Sequence, residues 1–273
     1  MWVLNATLDR VFDLLLGPLR WLPLLASLTI VSLVTAVAML LAIRRTSNQR
    51  AIEAVKRRIA AGLFEIRLFN DDLRAILVAQ LDILRHNATY LRLSLVPMLW
   101  MVVPFVLVIA QLQFHYGYDG VDIGRPVLVT AQLGSSLADA DTATLDAPPP
   151  VRVETPTSWF PGARQLVWRL VATAPGDYAL RLRIGGVDFE KTLHASRGLA
   201  RRSPGRLAPG VVNAVLYPSE APLPSTAPVT SITVAYPERD IDVFGWQVHW
   251  MIVYFALSMI FAFALKKPMR VTF

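Results

Sequence analysis

The chain has 273 residues, of which 54% are hydrophobic and only 17% charged, and its mean hydropathy is +0.46. This composition argues against an ordinary soluble domain and favours an integral membrane protein. Cysteine is absent, which excludes disulfides and thiol chemistry.

Residues 1–20 carry an amphipathic pattern. Asn5, Asp9 and Asp13 lie away from an apolar helical face. That face consists of Leu4, Leu8, Val11, Phe12 and Leu15. We therefore predict an interfacial helix on the outer membrane surface that ends near Gly17-Pro18. A disordered tail is the alternative.

Three segments contain no Asp, Glu, Lys or Arg: residues 21–43, 94–114 and 243–265. Each has the roughly 20 residues that cross a hydrocarbon core of ~30 Å, so we predict three transmembrane helices. The first segment is too long for the apolar region of a secretory signal peptide, and Arg44-Arg45 follows it instead of a cleavage site.

Residues 44–93 hold ten Lys and Arg against five Asp and Glu. Because membranes retain positive loops on the cytoplasmic side, we expect this segment and the basic tail 266–273 in the cytoplasm and the N-terminus outside. Two apolar stripes predict an antiparallel helical hairpin, whose second arm is capped at Asn70-Asp71-Asp72. The stripes are Ile52, Val55, Ile59, Leu63 and Ile66 on the first arm, and Leu73, Leu77, Leu81, Leu84, Ala88 and Leu91 on the second.

The hairpin is also predicted to present a basic surface to a partner. This surface consists of Arg50, Lys56, Arg57, Arg58, Arg67 and Arg74. A spacer with a merely solvated basic face is the alternative. The overall charge of +7 does not indicate binding to nucleic acid. The excess of positive charge lies beside the predicted spans, where anionic lipid headgroups are the simpler binding partner.

Residues 115–242 change in character, with many prolines and short alternating apolar runs that predict an outer β-sandwich. The predicted strands are 126–133, 150–155, 165–173, 177–184, 187–195 and 229–236. The piece APGDYALRLRI is similar to the tyrosine corner of immunoglobulin-like folds, with Tyr178 in that role. A plain hairpin with a surface tyrosine is equally compatible. Residues 197–210 are expected to form a basic loop, which is either solvated or in contact with headgroups or a partner.

The order of elements resembles the YidC/Oxa membrane-protein insertase superfamily. The shared features are an outside N-terminus, a first span, a basic cytoplasmic hairpin, a proline-bearing second span and a third span. The three-span form is similar to the insertase subunit of the ER membrane complex. The closest local match is HNATYLRLSLVPMLWMVVPFVLVIAQL, residues 86–112. No counterpart exists for the basic residue that many bacterial members place in their intramembrane groove, so the resemblance implies architecture and a polar groove but no site residue.

Polar and proline residues inside the spans are the candidates for such a groove. Thr29, Ser32 and Thr35 share a face of the first span, and Tyr254 and Ser258 share a face of the third. The alternative is that these hydroxyls only allow close helix packing. Pro97 and Pro104 are expected to kink the second span and to leave backbone carbonyls that need partners or water.

The sequence therefore predicts a non-enzymatic insertase or chaperone in a bacterial cytoplasmic membrane. Its expected partners are the bilayer and membrane-protein clients or nascent chains, with a ribosome or further membrane subunits in addition. A structural or sensory membrane protein with a ligand-binding sandwich is the alternative. No phosphate-binding loop or nucleophile motif is present, and no cofactor is expected.

Potential metal ligands lie near the outer ends of the second and third predicted spans. His115 and His249, with Asp119 or Asp242, could supply ligands. Their spacing does not support a metal site. Interfacial hydrogen bonding, with Trp246 and Trp250 as belt anchors, explains these residues better.

Overall fold

The structure, a computed structural model, describes residues 2–68, 72–134, 143–196, 198–217 and 219–271. The chain forms two compact units: Met1–Ser27 with Leu107–Met251, and Leu28–Val106 with Ile252–Phe273. The first contains the β-sheets and the second is helical, so the chain combines a helical part with an antiparallel β domain. We call them the β unit and the helical unit.

The helices in the described residues are α1 (Trp2–Leu16), α2 (Leu24–Thr46), α3 (Gln49–Leu68), α4 (Leu73–Tyr116), α5 (Val211–Leu216) and α6 (Trp250–Leu265). A 3-10 turn, Gly17–Trp21, follows α1, so the first helix ends where Gly17-Pro18 predicted. Two helices, α2 and the 76–116 part of α4, are long and apolar enough to cross a membrane. The buried shares of their apolar windows are only 28% and 11%.

The third predicted span was wrong over its first seven residues. Its helix begins only at Trp250 and has 16 residues, whereas residues 240–249 form a β-hairpin. Two residues with positive φ, Phe244 (56°) and Gly245 (89°), make the turn, and the Gly245 N–H donates to Asp242 at 2.7 Å. A two-residue turn of this kind favours a hairpin, and the absence of charge in the run cannot reveal it.

The helical hairpin is present, but its second arm packs through a different face from the predicted one. Leu77, Leu81, Leu84 and Leu91 are exposed, by 52%, 58%, 64% and 61%. Among the described side chains of this arm, the less exposed ones include Ile76, Ala79, Ile83, His86 and Tyr90. The arm therefore carries two apolar stripes at helical spacing, and the sequence does not say which one meets α3.

A glycine fixes the contact between the two arms. A Cβ at Gly62 of α3 would lie 2.7 Å from Cγ1 of Ile83, so the arms come this close only because Gly62 has no side chain. The bend itself falls partly outside the described residues, with Asn70 and Asp71. Asp72 accepts a hydrogen bond from the Arg74 N–H at 2.9 Å, which confirms the predicted cap at that residue.

The strands in the described residues are β1 (Pro126–Leu133), β2 (Thr144–Asp146), β3 (Val151–Val153), β4 (Ser158–Phe160), β5 (Gln165–Ala172), β6 (Asp177–Ile184), β7 (Val187–His194), β8 (Gly205–Leu207), β9 (Val229–Val234), β10 (Asp240–Val243) and β11 (Trp246–His249). All six predicted strands are present within two residues of their expected bounds. The short strands β2, β4 and β8 and the helix α5 were missed, because three to six residues carry too little periodicity.

Two antiparallel sheets share one hydrophobic core. The larger has the order β3-β5-β1-β9-β8 with β4 beside β5, and the smaller has the order β2-β6-β7. The core joins Val129 and Trp168 from the larger sheet to Leu182, Phe189 and Leu193 from the smaller. On β6, burial alternates as predicted, with Arg181 and Arg183 on the exposed side. This arrangement of two sheets around a common core is that of a β-sandwich.

The Tyr178 hydroxyl donates to the carbonyl of Ala174 at 2.8 Å, four residues upstream. A Cβ at Gly176 would lie 2.9 Å from this hydroxyl, so the glycine between them leaves space for the ring. The backbone contact expected of a tyrosine corner is therefore present.

Candidate functional site

The best candidate site in the helical unit is a groove of about 300 Å³ at the base of the hairpin. It lies where the end of α2, the start of α3 and the middle of α4 meet. Its lining consists of Met39, Ile43, Ser47, Ile52, Tyr90, Ser94, Pro97, Met98 and Met101. We call it the basal groove.

The chemistry of the basal groove is apolar with a few polar groups. Three methionines give it flexible, polarisable walls that can fit side chains of different shape. The Ser94 hydroxyl is buried and has no hydrogen-bond partner among the described residues. Pro97 has no N–H, so the carbonyl of Leu93 lacks its helical donor. Polar atoms of an incoming chain could therefore be hydrogen-bonded here without water.

One predicted basic residue lies beside this groove. The ammonium of Lys56 sits over the ring of Tyr90, 5.3 Å from its centre. Of the other predicted basic residues, Arg50, Arg58, Arg67 and Arg74 are exposed. Arg57 is exposed as well, and it pairs with Glu53 at 3.8 Å. The five arginines of this surface are therefore exposed, Lys56 contacts a groove residue, and a partner for the basic surface stays a prediction.

Four of the five hydroxyl-bearing residues predicted to line a groove lie at a contact between α2 and α6. Ser32 is fully buried, and its hydroxyl donates to the Tyr254 carbonyl at 3.5 Å. The Tyr254 hydroxyl lies close to the hydroxyls of Thr35 and Ser258. Thr29 is partly buried on the same helix as Ser32. The structure thus brings four of the five together where α2 packs on α6, and a client-binding role for them stays a prediction.

Both prolines of the second predicted span lie inside α4, which continues through them to Tyr116. Pro97 is buried and lines the basal groove, whereas Pro104 is exposed. The helix therefore contains both the second hairpin arm and the second predicted span. On the other side, α2 and α3 are separate helices, because Asn48 caps α3 by accepting from the Ala51 N–H at 3.1 Å.

A buried polar cluster in the β unit holds α1. Asp9 accepts from the Gln111 amide at 2.9 Å and pairs with Arg201 at 2.8 Å. Asp13 lies 3.2 Å from Nε2 of His115, whose Nδ1 is 3.0 Å from the Gln111 carbonyl. Burial raises the pKa of Asp9, although Gln111 and Arg201 oppose it. The hydrogen bond from His115 lowers the pKa of Asp13.

This cluster bears on two predictions: the interfacial position of α1, which stays a prediction, and the solvated loop over 197–210, which is corrected. The polar face of α1 packs against the protein, and the exposed face carries Val11, Leu14 and Leu15. The loop predicted over 197–210 is also packed. Arg202 is fully buried and donates to the carbonyls of Tyr118, Ser196 and Gly198, while Arg197 lies outside the described residues. The sequence signal for the cluster around α1 was the pair Asp9 and Asp13, which lie four residues apart on one helical face. Two carboxylates that are buried together need a cation nearby.

The residues considered for a metal are bound within the chain. His115 contacts Asp13, and Asp119 pairs with Arg239 at 2.6 Å. Among the described residues no group of three ligand side chains is placed to hold a metal ion. Trp246 is 77% exposed, which is compatible with its predicted position in the aromatic belt at a membrane–water interface. Trp250 is fully buried and stacks on Tyr116 at 6.3 Å, so its predicted role as an anchor was wrong.

A second cavity, of about 440 Å³, lies in the β unit between β8 and α5. Its walls are mostly apolar, including Leu207, Val211 and Tyr217, and Glu220 stands at its edge. Glu220 accepts from the ammonium of Lys191 at 2.6 Å, and the Ser203 carbonyl accepts from the same ammonium at 2.8 Å. The Lys191 side chain is 0% exposed, so these two contacts, made by described residues, compensate for the loss of water around its charge.

Comparison with protein-family models, with curated proteins and with solved structures gives no match for this chain. The family resemblance of the sequence therefore stays a prediction.

Proposed function

We propose that this protein is a membrane-protein insertase or chaperone of the YidC/Oxa type, with three spans and an outer immunoglobulin-like sandwich. The basal groove is the observation that carries the proposal. In this proposal α2, α4 and α6 cross the bilayer, the hairpin extends into the cytoplasm, and the basal groove receives the polar flank of a client as it leaves the cytoplasm.

The exposure of α2 and α4 supports the membrane part of the proposal. Large apolar side chains of α4, including Leu99, Trp100 and Val103, are 57%, 75% and 64% exposed. A core helix of a soluble protein would bury them. Exposed apolar surface of this extent needs lipid or a partner to cover it.

The groove acts by lowering a desolvation barrier. A polar backbone group without a partner in hydrocarbon costs several kcal/mol. The Ser94 hydroxyl and the carbonyl left by Pro97 offer hydrogen bonds on a client's path, and the methionines adapt to its side chains. No covalent step is needed, so the activity requires no nucleophile.

Photocrosslinking from the groove tests the proposal. A photoreactive amino acid replaces Ser94 or Met98, and a matched control replaces Val103, which is exposed on the same helix but does not line the groove. During translation of a single-span client into vesicles that contain the protein, we expect client adducts from the two groove positions and lipid adducts from the control. Lipid adducts alone from all three positions would contradict the proposal.

The same assay with crosslinkers at Ser32, Thr35 and Ser258 tests the groove predicted from the sequence. Because these residues lie near the α2–α6 contact, we expect fewer client adducts there than at Ser94. A filled groove should also slow insertion. We expect Met98→Trp to reduce the insertion rate and Leu99→Trp, on the neighbouring exposed face, to leave it unchanged.

A ligand-binding or sensory membrane protein is the second candidate function. The cavity of about 440 Å³ beside α5 favours it, since its size is that of small-molecule sites. Ala208 lines this cavity and belongs to the β unit, so Ala208→Trp would fill the cavity and change no residue of the helical unit. If Ala208→Trp abolishes the cellular function and Met98→Trp does not, the sensory function is favoured over the insertase.

A further inference from the structure

The second arm of the hairpin carries an apolar seam that is not covered by the chain. Its members are Leu77, Leu81, Leu84, Ala88 and Leu91, and all five are exposed. The four leucines are between 52% and 64% exposed. We call this set the leucine seam. Single exposed leucines are ordinary, but a continuous row of them is not.

The spacing of the seam indicates what could cover it. Its steps are four, three, four and three residues, which is the repeat of the a and d positions of a coiled coil. The opposite stripe of the same helix, which includes Ala79 and Ile83, already packs on α3 next to Gly62. The seam is therefore free to receive a further helix, and its regular repeat fits a helix better than an extended peptide.

The charges beside the seam indicate the chemistry of that helix. With Leu84 at a d position, Arg85 and Arg92 occupy the flanking e positions, and Arg74 occupies an a position at the far end. The three arginines are exposed. Asp82 lies on the outer side of the helix, where it pairs with Arg85 at 3.4 Å. Acidic flanking residues on an incoming helix would complement this side.

A second copy of the chain fits the seam poorly. In a parallel pair the Arg74 residues would meet at an a layer, and in an antiparallel pair Arg85 would lie opposite Arg92. Like charges at such positions oppose association, and each hairpin already carries an excess of five positive charges over residues 44–93.

We infer that the leucine seam is a docking site for an amphipathic helix of another protein, one with leucine-type residues at a and d and acidic residues beside them. The docked helix packs along the seam against the second arm alone, on the side of that arm that faces away from α3. Two more exposed apolar residues, Leu95 and Met98, continue the four-three spacing, and Met98 lines the basal groove. The seam therefore leads from the hairpin towards that groove, although docking itself does not depend on the insertase activity.

Binding of designed peptides to the full chain tests this inference. The protein is held in nanodiscs of phosphatidylcholine, so that no anionic lipid competes for the arginines. The probe is a labelled three-heptad peptide with Leu at a and d and Glu at e and g. The matched peptide has Lys in place of Glu. Fluorescence anisotropy measures binding, and we expect the acidic peptide to bind and the basic one not to bind.

Substitutions in the hairpin test whether the peptide binds at the leucine seam. Leu84→Asp should weaken binding of the acidic peptide by roughly tenfold or more, because it sets a charge in the apolar seam. Phe64→Asp is the matched control on α3, where Phe64 is 67% exposed and outside the seam, and it should leave the affinity unchanged. The double variant Arg85→Glu/Arg92→Glu should reverse the preference, so that the basic peptide binds and the acidic one does not.

Two results would overturn the inference. One is acidic-peptide binding that Leu84→Asp leaves intact, which would mean only general attraction to the basic hairpin. The other is a dimer in mass photometry that Leu84→Asp dissociates, which would show that a second copy covers the seam. Neither result affects the crosslinking test of the basal groove, so the two proposals fail separately.

Discussion

The buried pair of Lys191 and Glu220 allows a quantitative prediction about the β unit. The Lys191 ammonium has two partners, Glu220 at 2.6 Å and the Ser203 carbonyl at 2.8 Å, and its side chain is 0% exposed. The Glu220 side chain is 21% exposed. Water can therefore reach the acid but not the base, and the two single substitutions should differ in cost.

Glu220→Ala leaves a buried ammonium with one neutral acceptor. Removing one partner of a buried ion pair costs about 3–5 kcal/mol of unfolding free energy. Lys191→Met leaves a carboxylate that water can still solvate, so we expect a smaller cost of about 1–3 kcal/mol. The double variant Lys191→Met/Glu220→Ala removes both charges and should be more stable than Glu220→Ala alone.

The penalty of Glu220→Ala should depend on pH. Burial lowers the pKa of Lys191, and Glu220 partly restores it. Without Glu220 the pKa of Lys191 in the folded protein falls further. In the unfolded chain the pKa of this lysine stays near its ordinary value of about 10.4. Between these two pKa values the unfolded state binds more protons, so stability rises with pH. The penalty should therefore be larger at neutral pH than in alkaline solution.

Hydrogen exchange of the β7 amides, followed by mass spectrometry, measures the opening free energy of this unit in the full chain. Wild type, the two single variants and the double variant are compared at neutral and alkaline pH. A cost below about 1 kcal/mol for Glu220→Ala, or a double variant that is less stable than it, would refute the assignment of a buried ion pair.

Three further substitutions have defined outcomes. Tyr178→Phe removes the 2.8 Å bond to the Ala174 carbonyl and should cost the β unit about 1 kcal/mol, measured by the same exchange. Gly62→Val would place a Cβ 2.7 Å from Ile83 and should separate the hairpin arms, lowering the yield of an engineered interarm disulfide. Arg201→Gln leaves the two α1 carboxylates without their cation, so α1 amides should exchange faster at neutral pH and recover protection as acid neutralises the carboxylates. If the protection of the α1 amides, relative to the intrinsic exchange rate at each pH, does not change across that range, the proposed role of the cluster is contradicted.

The sequence determined the elements with strong periodicity. The five longest strands of the β unit, the short strand β3, the amphipathic first helix, the two arms of the hairpin and the two long apolar helices all follow from local patterns of apolar and polar residues. These patterns are reliable because a strand or helix buries one face whatever its partner is. The Asp72 cap and the Tyr178 hydroxyl contact were also visible as local motifs.

Only the tertiary structure decided which faces are covered. The second arm of the hairpin has two apolar stripes, and Gly62 selects the one that contains Ile83, which leaves the leucine seam open. Trp250 is buried although its sequence context favours an interface, and the arginines at 201 and 202 are packed although their loop reads as solvated. Spacing along a chain fixes which residues share a face, but burial depends on partners that are distant in sequence, and for this protein those partners define both the basal groove and the seam beside it.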